Sequence, residues 1–246
     1  MTSRERAATD RARFDEWARY ARESGEKPAV PAATVVMLRD NDEGVETLML
    51  RKNSKIAFGG IWVFPGGRID EEDWAGVNDD VSAARVAAAR EAREEANLVI
   101  DPDALVLMAH WIPPSIAPKR FATWFFAARA GTEQARIDDS EIVDMEWMTP
   151  ERCLQRHHTG EIELVPPTWV TLHTLGGFDT VHSALTELAA RPPRHHATRA
   201  AKTERGLVVR WEGDVAFDSG DMDVDGPRHR LEMFDDGYRY YDSGAV

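Results

Sequence analysis

The spacing of apolar residues along the chain predicts an alternation of short strands and helices. Strand-like segments, rich in β-branched and aromatic residues, are predicted at 32–38, 46–51, 105–111, 121–128 and 144–148. Helical segments, with apolar residues three and four positions apart, are predicted at 9–23, 82–96, 169–175 and 180–190. Strands around one prominent central helix, with further helices at the periphery, predict an α/β sandwich with a mixed sheet.

Single residues predict where some helices begin and end. Ser82 is the predicted N-cap of the central helix, since its hydroxyl can accept a backbone N–H of the first turn. Asn97 is the predicted C-cap, because Asn tolerates the left-handed backbone conformation. Pro150, directly after Thr149, predicts the first turn of another helix.

The last part of the chain has a different pattern. It follows a break at Arg191-Pro192-Pro193. Short strands are predicted there at 206–211, 215–217, 230–234 and 238–241, with a hairpin turn at 235–237. The pattern divides the chain into an N-terminal helical extension at 1–30, a central domain at 31–190 and a β-rich C-terminal extension at 191–246.

Composition and charge narrow the classes of protein. The net charge of −13 over 246 residues argues against a general nucleic-acid or membrane-surface binder. The single cysteine, Cys153, fits a reducing compartment, and no apolar run approaches the roughly 20 residues of a membrane span. The charged stretch at 1–22 lacks the apolar segment of a signal peptide. We therefore expect a cytoplasmic protein with no nucleic-acid and no membrane partner.

Three glutamates near the end of the central helix carry the strongest chemical signal. Glu91, Glu94 and Glu95 are three and four positions apart and share one helix face. Bound cations relieve their mutual repulsion, and carboxylate oxygens select Mg²⁺ or Mn²⁺. The glycines of 64–67 (Phe-Pro-Gly-Gly) allow a tight turn that brings backbone groups near the same ions. For the glutamates alone, a solvated face with Arg90 and Glu94 paired is the alternative.

These residues resemble the signature of the Nudix family, G-x5-E-x7-R-E-U-x-E-E-x-G-U, in which U is aliphatic. Gly67 fits its first glycine, and the segment 90–98 fits its second half. The resemblance covers roughly 32–175. It implies that the central domain is a Nudix hydrolase domain with an α/β/α fold. Such a domain cleaves the diphosphate bond of a nucleoside diphosphate derivative, with Mg²⁺ or Mn²⁺ as cofactor.

The chain departs from the signature in three places. Gly67 and Arg90 are 23 positions apart, nine more than in the signature. The first Glu of the signature falls on Asp73 when counted forward from Gly67 and on Ser82 when counted back from Arg90, and neither residue is a Glu. Asn97 replaces the last glycine, a change that the predicted C-cap makes harmless.

The resemblance implies a role for each residue of this box. Glu91, Glu94 and Glu95 are the expected metal ligands, with Glu91 a ligand or a base for the attacking water. The Gly66 carbonyl is a further expected ligand. Gly67 and Asn97 are expected to shape the backbone, and Arg90 to orient the carboxylates.

A glutamate from a later loop joins many Nudix sites. Glu141 is the first candidate here and Glu146 the second, so the expected catalytic residues are Glu91, Glu94 and Glu141. For either later glutamate, a solvated loop carboxylate is the alternative.

The region before the box resembles coenzyme A-cleaving Nudix enzymes, and the insertion inside the box resembles the acyl-CoA branch. In that region Arg51 is not followed by the expected Ser or Ala, and Lys55 stands where an Arg is expected. Arg51, Lys55 and Arg120 are candidate phosphate ligands, and Trp62 is a candidate for stacking on adenine. Surface solvation of the basic residues and core packing of Trp62 are the alternatives.

Other functions stay open at this point. The substrate class extends to NADH, ADP-ribose or another nucleotide, and a non-catalytic nucleotide-binding module is a further possibility. The expected partner is a small-molecule nucleotide substrate, and a homodimer is a further possibility. Asp221, Asp223, Asp225, Gly226 and Glu232 match the spacing of an EF-hand calcium loop, but the strand-like flanks favour an acidic turn.

Overall fold

The computed structural model describes residues 2–53, 60–132, 134–137 and 141–243. The helices of this part of the chain are α1 (Ser3–Ser24), α2 (Asp80–Ala96), α3 (Pro150–His158), α4 (Pro166–Leu175) and α5 (Val181–Ala190). The strands are β1 (Val30–Asn41), β2 (Gly44–Lys52), β3 (Trp62–Val63), β4 (Gly66–Arg68), β5 (Val106–Ile112), β6 (Phe121–Arg129), β7 (Ile142–Met148), β8 (Arg194–Ala197), β9 (Arg199–Lys202), β10 (Gly206–Arg210), β11 (His229–Phe234) and β12 (Gly237–Asp242). Short 3-10 helices occupy Glu71–Trp74 and Pro102–Ala104.

The larger sheet is mixed, which confirms the predicted α/β fold. Its strand order is β3-β2-β1-β6-β5-β8, with β4 also paired to β1 and β7 to β2. The pairs β1/β6 and β5/β8 are parallel, and the others in this sheet are antiparallel. The prediction of a tight turn at Gly66 and Gly67 is wrong, because both residues lie in the extended strand β4. This strand is bonded to β1 with Thr34 opposite Gly66 and Ala33 opposite Gly67, so the glycine backbone lies beside β1.

Helices and a second sheet cover the two faces of the larger sheet. Along β1, Val35 and Met37 pack in one buried cluster and Val36 and Leu38 in another, because successive strand residues point to opposite faces. The α2 helix covers the first face with a buried row of small side chains: Ala84, Ala87, Ala88, Ala92 and Ala96. Alanine favours the helix and lets it approach the sheet closely, which places the glutamates at the end of α2 near the strand backbone.

The central helix begins earlier than expected. Its N-cap is Asp79, whose side chain accepts the Ser82 N–H at 3.0 Å, so the prediction of Ser82 as N-cap is wrong. Asp caps as well as Ser does, and the sequence offers both within one turn. The prediction for the other end is confirmed, because Asn97 adopts the left-handed conformation at φ 55°.

The C-terminal segment forms a four-stranded antiparallel sheet in the order β12-β11-β10-β9. The predicted strand at 215–217 is wrong; a turn stands there, in which the Asp214 carboxylate accepts the Ala216 N–H at 2.9 Å. The same carboxylate pairs with buried Arg230 at 2.7 Å. Strand β8, which begins just after the predicted boundary at 191, pairs with β5 of the larger sheet.

The N-terminal helix rests on this second sheet. Arg6 and Asp10 of α1 are buried, Tyr238 of β12 donates to Asp10 at 3.2 Å, and Arg6 donates to the carbonyl of His157. Among the described residues, none of the helices has the length and apolar character needed to cross a membrane. The acidic segment at 221–232 runs through turns into β11, so it lacks the two flanking helices of an EF-hand.

Candidate active site

The site lies where the last turns of α2 meet β4 and the end of β2. Glu95 is almost fully buried there, with 5 % of its surface exposed. One of its oxygens, Oε2, accepts the Gly66 N–H at 2.9 Å, and the other, Oε1, accepts the Lys52 ammonium at 3.0 Å. The contact of Gly66 with Glu95 is made through its amide, and the role of its carbonyl as a metal ligand stays a prediction.

Two glycines allow β4 to lie close to its neighbours, Gly67 on the side of α2 and Gly66 on the side of β1. A Cβ added at Gly67 would overlap the Glu91 carboxylate, and one added at Gly66 would overlap Thr34 and the carbonyl of Ala33. A side chain at Gly67 would therefore displace the carboxylate, whereas one at Gly66 would push against the backbone of β1. The glycine pair lets a charged helix face lie directly against a strand.

Arg90 ties the glutamates to the rest of the box. Its Nη1 donates to Glu91 Oε1 at 2.9 Å and to Glu94 Oε2 at 3.0 Å. Its Nε and Nη2 form a bidentate pair with the two oxygens of Asp73, at 3.0 and 2.9 Å, and Nη2 also donates to the Arg68 carbonyl at 2.9 Å. Arg90 is held from both sides, so it can fix the direction of two carboxylates.

Asp73 is the residue that sequence reasoning left undecided. It is 2 % exposed, it accepts the Asp70 N–H at 2.8 Å, and its hydrogen bonds to the Arg90 guanidinium, together with its charge, raise the pKa of Arg90. It stands where the first Glu of the signature falls when counted forward from Gly67, and Ser82 lies in the first turn of α2. The forward count was therefore the signal that located it, and the extra residues lie between Asp73 and Arg90.

Burial makes the glutamate cluster electrostatically costly. Burial raises the pKa of Glu91 to about 6, although hydrogen bonding and the charge of Arg90 oppose the rise. Burial likewise raises the pKa of Glu95, against the charge of Lys52 and the Gly66 N–H, and the charge of Glu141 adds to the rise. Glu94 is more open, with 57 % of its side chain exposed. Added positive charge would stabilise this face.

The two later glutamates lie on different sides of the larger sheet. The charge of Glu141 acts on Glu95, and its carbonyl accepts the Asn53 N–H at 2.8 Å beside the end of β2. Glu146 is paired in register with Met49, which packs on the face opposite α2. Its carboxylate is bound at 2.6 Å by Arg152 and at 2.6 Å by Arg156 of α3.

The candidate substrate residues are dispersed. Arg51 pairs with Asp144 at 3.4 Å and is partly exposed. Trp62 is 5 % exposed in the core beneath Arg156. Arg120 donates to the carbonyls of Lys27 and Pro113, at 2.7 and 3.2 Å. Lys55 lies outside the described residues.

The donor chemistry of the box fits a hard divalent cation, because the buried atoms aimed into it are carboxylate oxygens. Within the ranges that the structure describes, no three His, Cys, Asp or Glu side chains converge on one ion position. Arg90 bridges Glu91 and Glu94, and Lys52 contacts Glu95, so each of the three carboxylates forms an ion pair with a cationic side chain.

A cysteine nucleophile has no support. Cys153 is fully buried in α3, and burial raises the pKa of its thiol to about 12, so the reactive thiolate does not form near neutral pH.

Comparison with known proteins supports the interpretation drawn from the box. The family model described as "NUDIX domain" matches residues 28–168. A NUDIX hydrolase from Alicyclobacillus acidocaldarius has a TM-score of 0.61 at 23 % identity, over 68 % of this chain and 99 % of that one. The NUDIX domain of Shewanella oneidensis NrtR, complexed with ADP ribose, has a TM-score of 0.47 at 18 % identity, over 63 % and 94 %. No curated protein matches the chain.

Proposed function

The chain belongs to the Nudix family, and we propose that it is a divalent-metal-dependent diphosphatase acting on coenzyme A or acyl-CoA. The products would be 3′,5′-ADP and phosphopantetheine or its acyl derivative. The observation that carries the catalytic part is the buried contact of Glu91 and Glu95 with the glycine pair of β4, with Arg90 fixed between Asp73 and the glutamates.

In the proposed mechanism, Glu91, Glu94 and Glu95 would hold Mg²⁺ or Mn²⁺ together with the carbonyl of Gly66. Such ions, when bound, neutralise diphosphate charge and acidify a bound water. Glu141 takes the proton of the attacking water, in the role of general base, because it is the further carboxylate whose charge reaches Glu95. Arg90 keeps Glu91 and Glu94 in one orientation throughout.

The coenzyme A assignment rests on the resemblance around Arg51 and the glycine pair. Arg51 directly precedes Lys52 at the end of β2, and its guanidinium, which is partly exposed and paired with Asp144, suits a phosphate group. Lys55 and Arg120 are proposed for further phosphates. The prediction of Trp62 for the adenine is wrong, because Trp62 is too deeply buried in the core to stack on a substrate base. NADH, ADP-ribose or another nucleotide is the alternative within the same chemistry.

The test is a product assay with Mg²⁺ or Mn²⁺ on coenzyme A, an acyl-CoA, NADH, ADP-ribose and a dinucleoside polyphosphate. We expect coenzyme A or acyl-CoA to be cut, and Glu95→Gln to lower kcat at least about 100-fold, since a ligand carboxylate is lost. Glu187→Gln is the matched control, because Glu187 is an exposed helical glutamate paired with Arg191 in α5. Cleavage of another compound alone would refute the coenzyme A assignment. No cleavage at all would favour the nucleotide-binding module.

We also propose that the functional unit is a homodimer, which light scattering in solution can test; a monomeric mass would refute it.

We further propose that the chain is divided into an N-terminal extension (1–30), a Nudix domain (31–190) and a C-terminal extension (191–246). Limited proteolysis that cuts first near 30 and 191 would support this division.

A further inference from the structure

Lys52 occupies an unusual place for a lysine. It is the last residue of β2, and its ammonium lies 3.0 Å from Glu95 Oε1. The side chains of Lys52 and Glu95 are only 16 % and 6 % exposed. Because little water reaches this ion pair, its attraction is screened less than that of the solvated pairs at the surface of the molecule, and its stability depends on the geometry of the contact.

Every oxygen of Glu95 is engaged in this arrangement. Lys52 holds Oε1 and the Gly66 N–H holds Oε2. The neighbouring Glu91 is in turn bound by Arg90. An incoming divalent ion therefore meets a carboxylate whose charge is already compensated by a cation of the chain itself.

We propose that Lys52 is a built-in cation of Glu95, which a divalent ion must displace in order to use that carboxylate as a ligand. The proposal rests on the metal-dependent function proposed above. Two positive groups at one carboxylate repel each other over a few ångströms, so the ammonium and the metal ion exclude one another. The resting protein is then compensated without metal, and its metal affinity is lower than the glutamates alone would provide.

Lys52 is also a departure from the pattern that the resemblance implies. The resemblance upstream of the box predicts Ser or Ala after Arg51, and this chain has Lys52. A serine at this position would leave Glu95 Oε1 without a cationic partner. Lys52→Ser is therefore the variant that separates the two arrangements.

The experiment measures Mn²⁺ binding to the substrate-free protein by electron paramagnetic resonance, in which free Mn²⁺ gives the signal that binding removes. We expect Lys52→Ser to bind Mn²⁺ about tenfold more tightly or better than wild type, because the competing charge is gone. Lys202→Ser is the matched control: Lys202 pairs with Asp15 at 2.5 Å on the second sheet, so this variant should bind Mn²⁺ as wild type does.

Thermal unfolding gives an independent readout. Without metal, Lys52→Ser leaves buried Glu95 uncompensated and should melt below Lys202→Ser. Saturating Mn²⁺ should remove most of that difference, since the ion replaces the ammonium. If serine at 52 prevents folding without metal, Lys52→Met keeps the aliphatic stem and permits the same titration.

Two results would overturn the proposal: equal or weaker Mn²⁺ affinity in both Lys52 variants, or a melting deficit that Mn²⁺ leaves unchanged. Neither readout needs turnover. A protein that cuts no compound in the substrate panel, yet gains Mn²⁺ affinity on losing Lys52, would refute the proposed substrate and support the role of Lys52.

Discussion

Arg90 shows how one side chain can serve the fold and the site together. Its guanidinium spans from buried Asp73 on one side to Glu91 and Glu94 on the other. A planar group with donors in fixed directions transmits the position of one carboxylate to the others. The rigidity of the glutamate face is therefore set partly by an aspartate outside α2.

Replacing Asp73 by Asn tests this chain of contacts. The change keeps the shape and removes the charge that faces Arg90. We expect the free energy of unfolding to fall by about 2 kcal/mol. We also expect kcat to fall about tenfold or more, because Glu91 and Glu94 lose their fixed partner. Denaturant titration and steady-state kinetics measure the two effects.

Asp70→Asn is the control for that prediction. Asp70 lies 3.8 Å from Arg90, and 58 % of its side chain is exposed, so its loss should cost less than about 0.5 kcal/mol. Equal losses in the two variants would mean that overall charge, and not the buried pair, governs Arg90.

Sequence reasoning at the residue scale was strongest where spacing carried information. The face shared by Glu91, Glu94 and Glu95 follows from helical geometry alone. Either Asp73 or Ser82 could stand at the position of the first Glu of the signature. The choice depended on where the extra residues between Gly67 and Arg90 lie, and no local sequence rule fixes the conformation of that segment. In the sequence, Lys52 differed only from the Ser or Ala that the resemblance led us to expect. Its contact with Glu95 could not be predicted, because the two residues are 43 positions apart.

At the scale of elements, the contact of β4 with α2 is the feature on which the site depends. A three-residue strand paired to β1 holds both glycines against the helix. The two glycines meet different neighbours, so substitutions at adjacent positions should have different consequences.

Gly66→Ala and Gly67→Ala form a matched pair. Alanine at 66 meets the backbone of β1 and should lower the free energy of unfolding by about 3 kcal/mol. Alanine at 67 meets the Glu91 carboxylate, which can rotate away, so the stability loss should stay below about 1 kcal/mol while kcat falls about 100-fold. Urea titration and kinetics on both variants decide. Wild-type kcat in Gly67→Ala would refute a catalytic role for the position of Glu91.

The elements themselves were predictable where local signals agreed. The alanine-rich pattern and Asn97 located α2, and Pro150 marked the first turn of α3. The strand predicted at 215–217 failed because Asp214 bonds its neighbours and bends the backbone, a preference that apolar pattern does not register. Strand β8, Arg-His-His-Ala, has no apolar alternation and is extended because β5 pairs with it.

In the whole molecule, two buried histidines pack against the second sheet and its neighbours. His196 of β8 lies between Trp111 of the larger sheet and Trp211, which follows β10, and His157 of α3 lies against β12 and α1. The ring of His196 stacks on Trp111, with 3.7 Å between centroids, and His157 packs against Tyr238. Burial lowers the pKa of His196 to about 2 and that of His157 to about 3, from an ordinary value of 6.5. Both rings are therefore neutral in the folded protein over the physiological range.

Acid should weaken this junction. The unfolded chain protonates both rings as pH falls through 6.5, whereas the folded protein resists until about pH 3 for His157 and about pH 2 for His196. The unfolded state binds more protons in that window. The free energy of unfolding therefore decreases as the pH is lowered, by up to about 1.4 kcal/mol per pH unit for each ring. His196→Phe should flatten the dependence by that amount between about pH 5.5 and pH 4.

Urea titrations at several pH values, for wild type and His196→Phe, provide the measurement. The exposed His182 supplies the control, since its replacement by Phe should leave the pH slope unchanged. Parallel slopes in wild type and His196→Phe would show that the buried ring is protonated in the folded state.

The packing of α1 on the second sheet also affects the order in which the elements of the chain fold. Asp10 and Tyr238, which join these elements, are separated by 228 positions. During synthesis α1 leaves the ribosome long before β10 and β11 exist, so the surface of the second sheet that α1 covers is absent until then, and so is the Tyr238 partner of Asp10. Closing so long a loop is a late step in folding, because its entropic cost is repaid only after both ends are complete. The helix α1 is therefore made before the sheet that it covers, and it is among the last elements to dock.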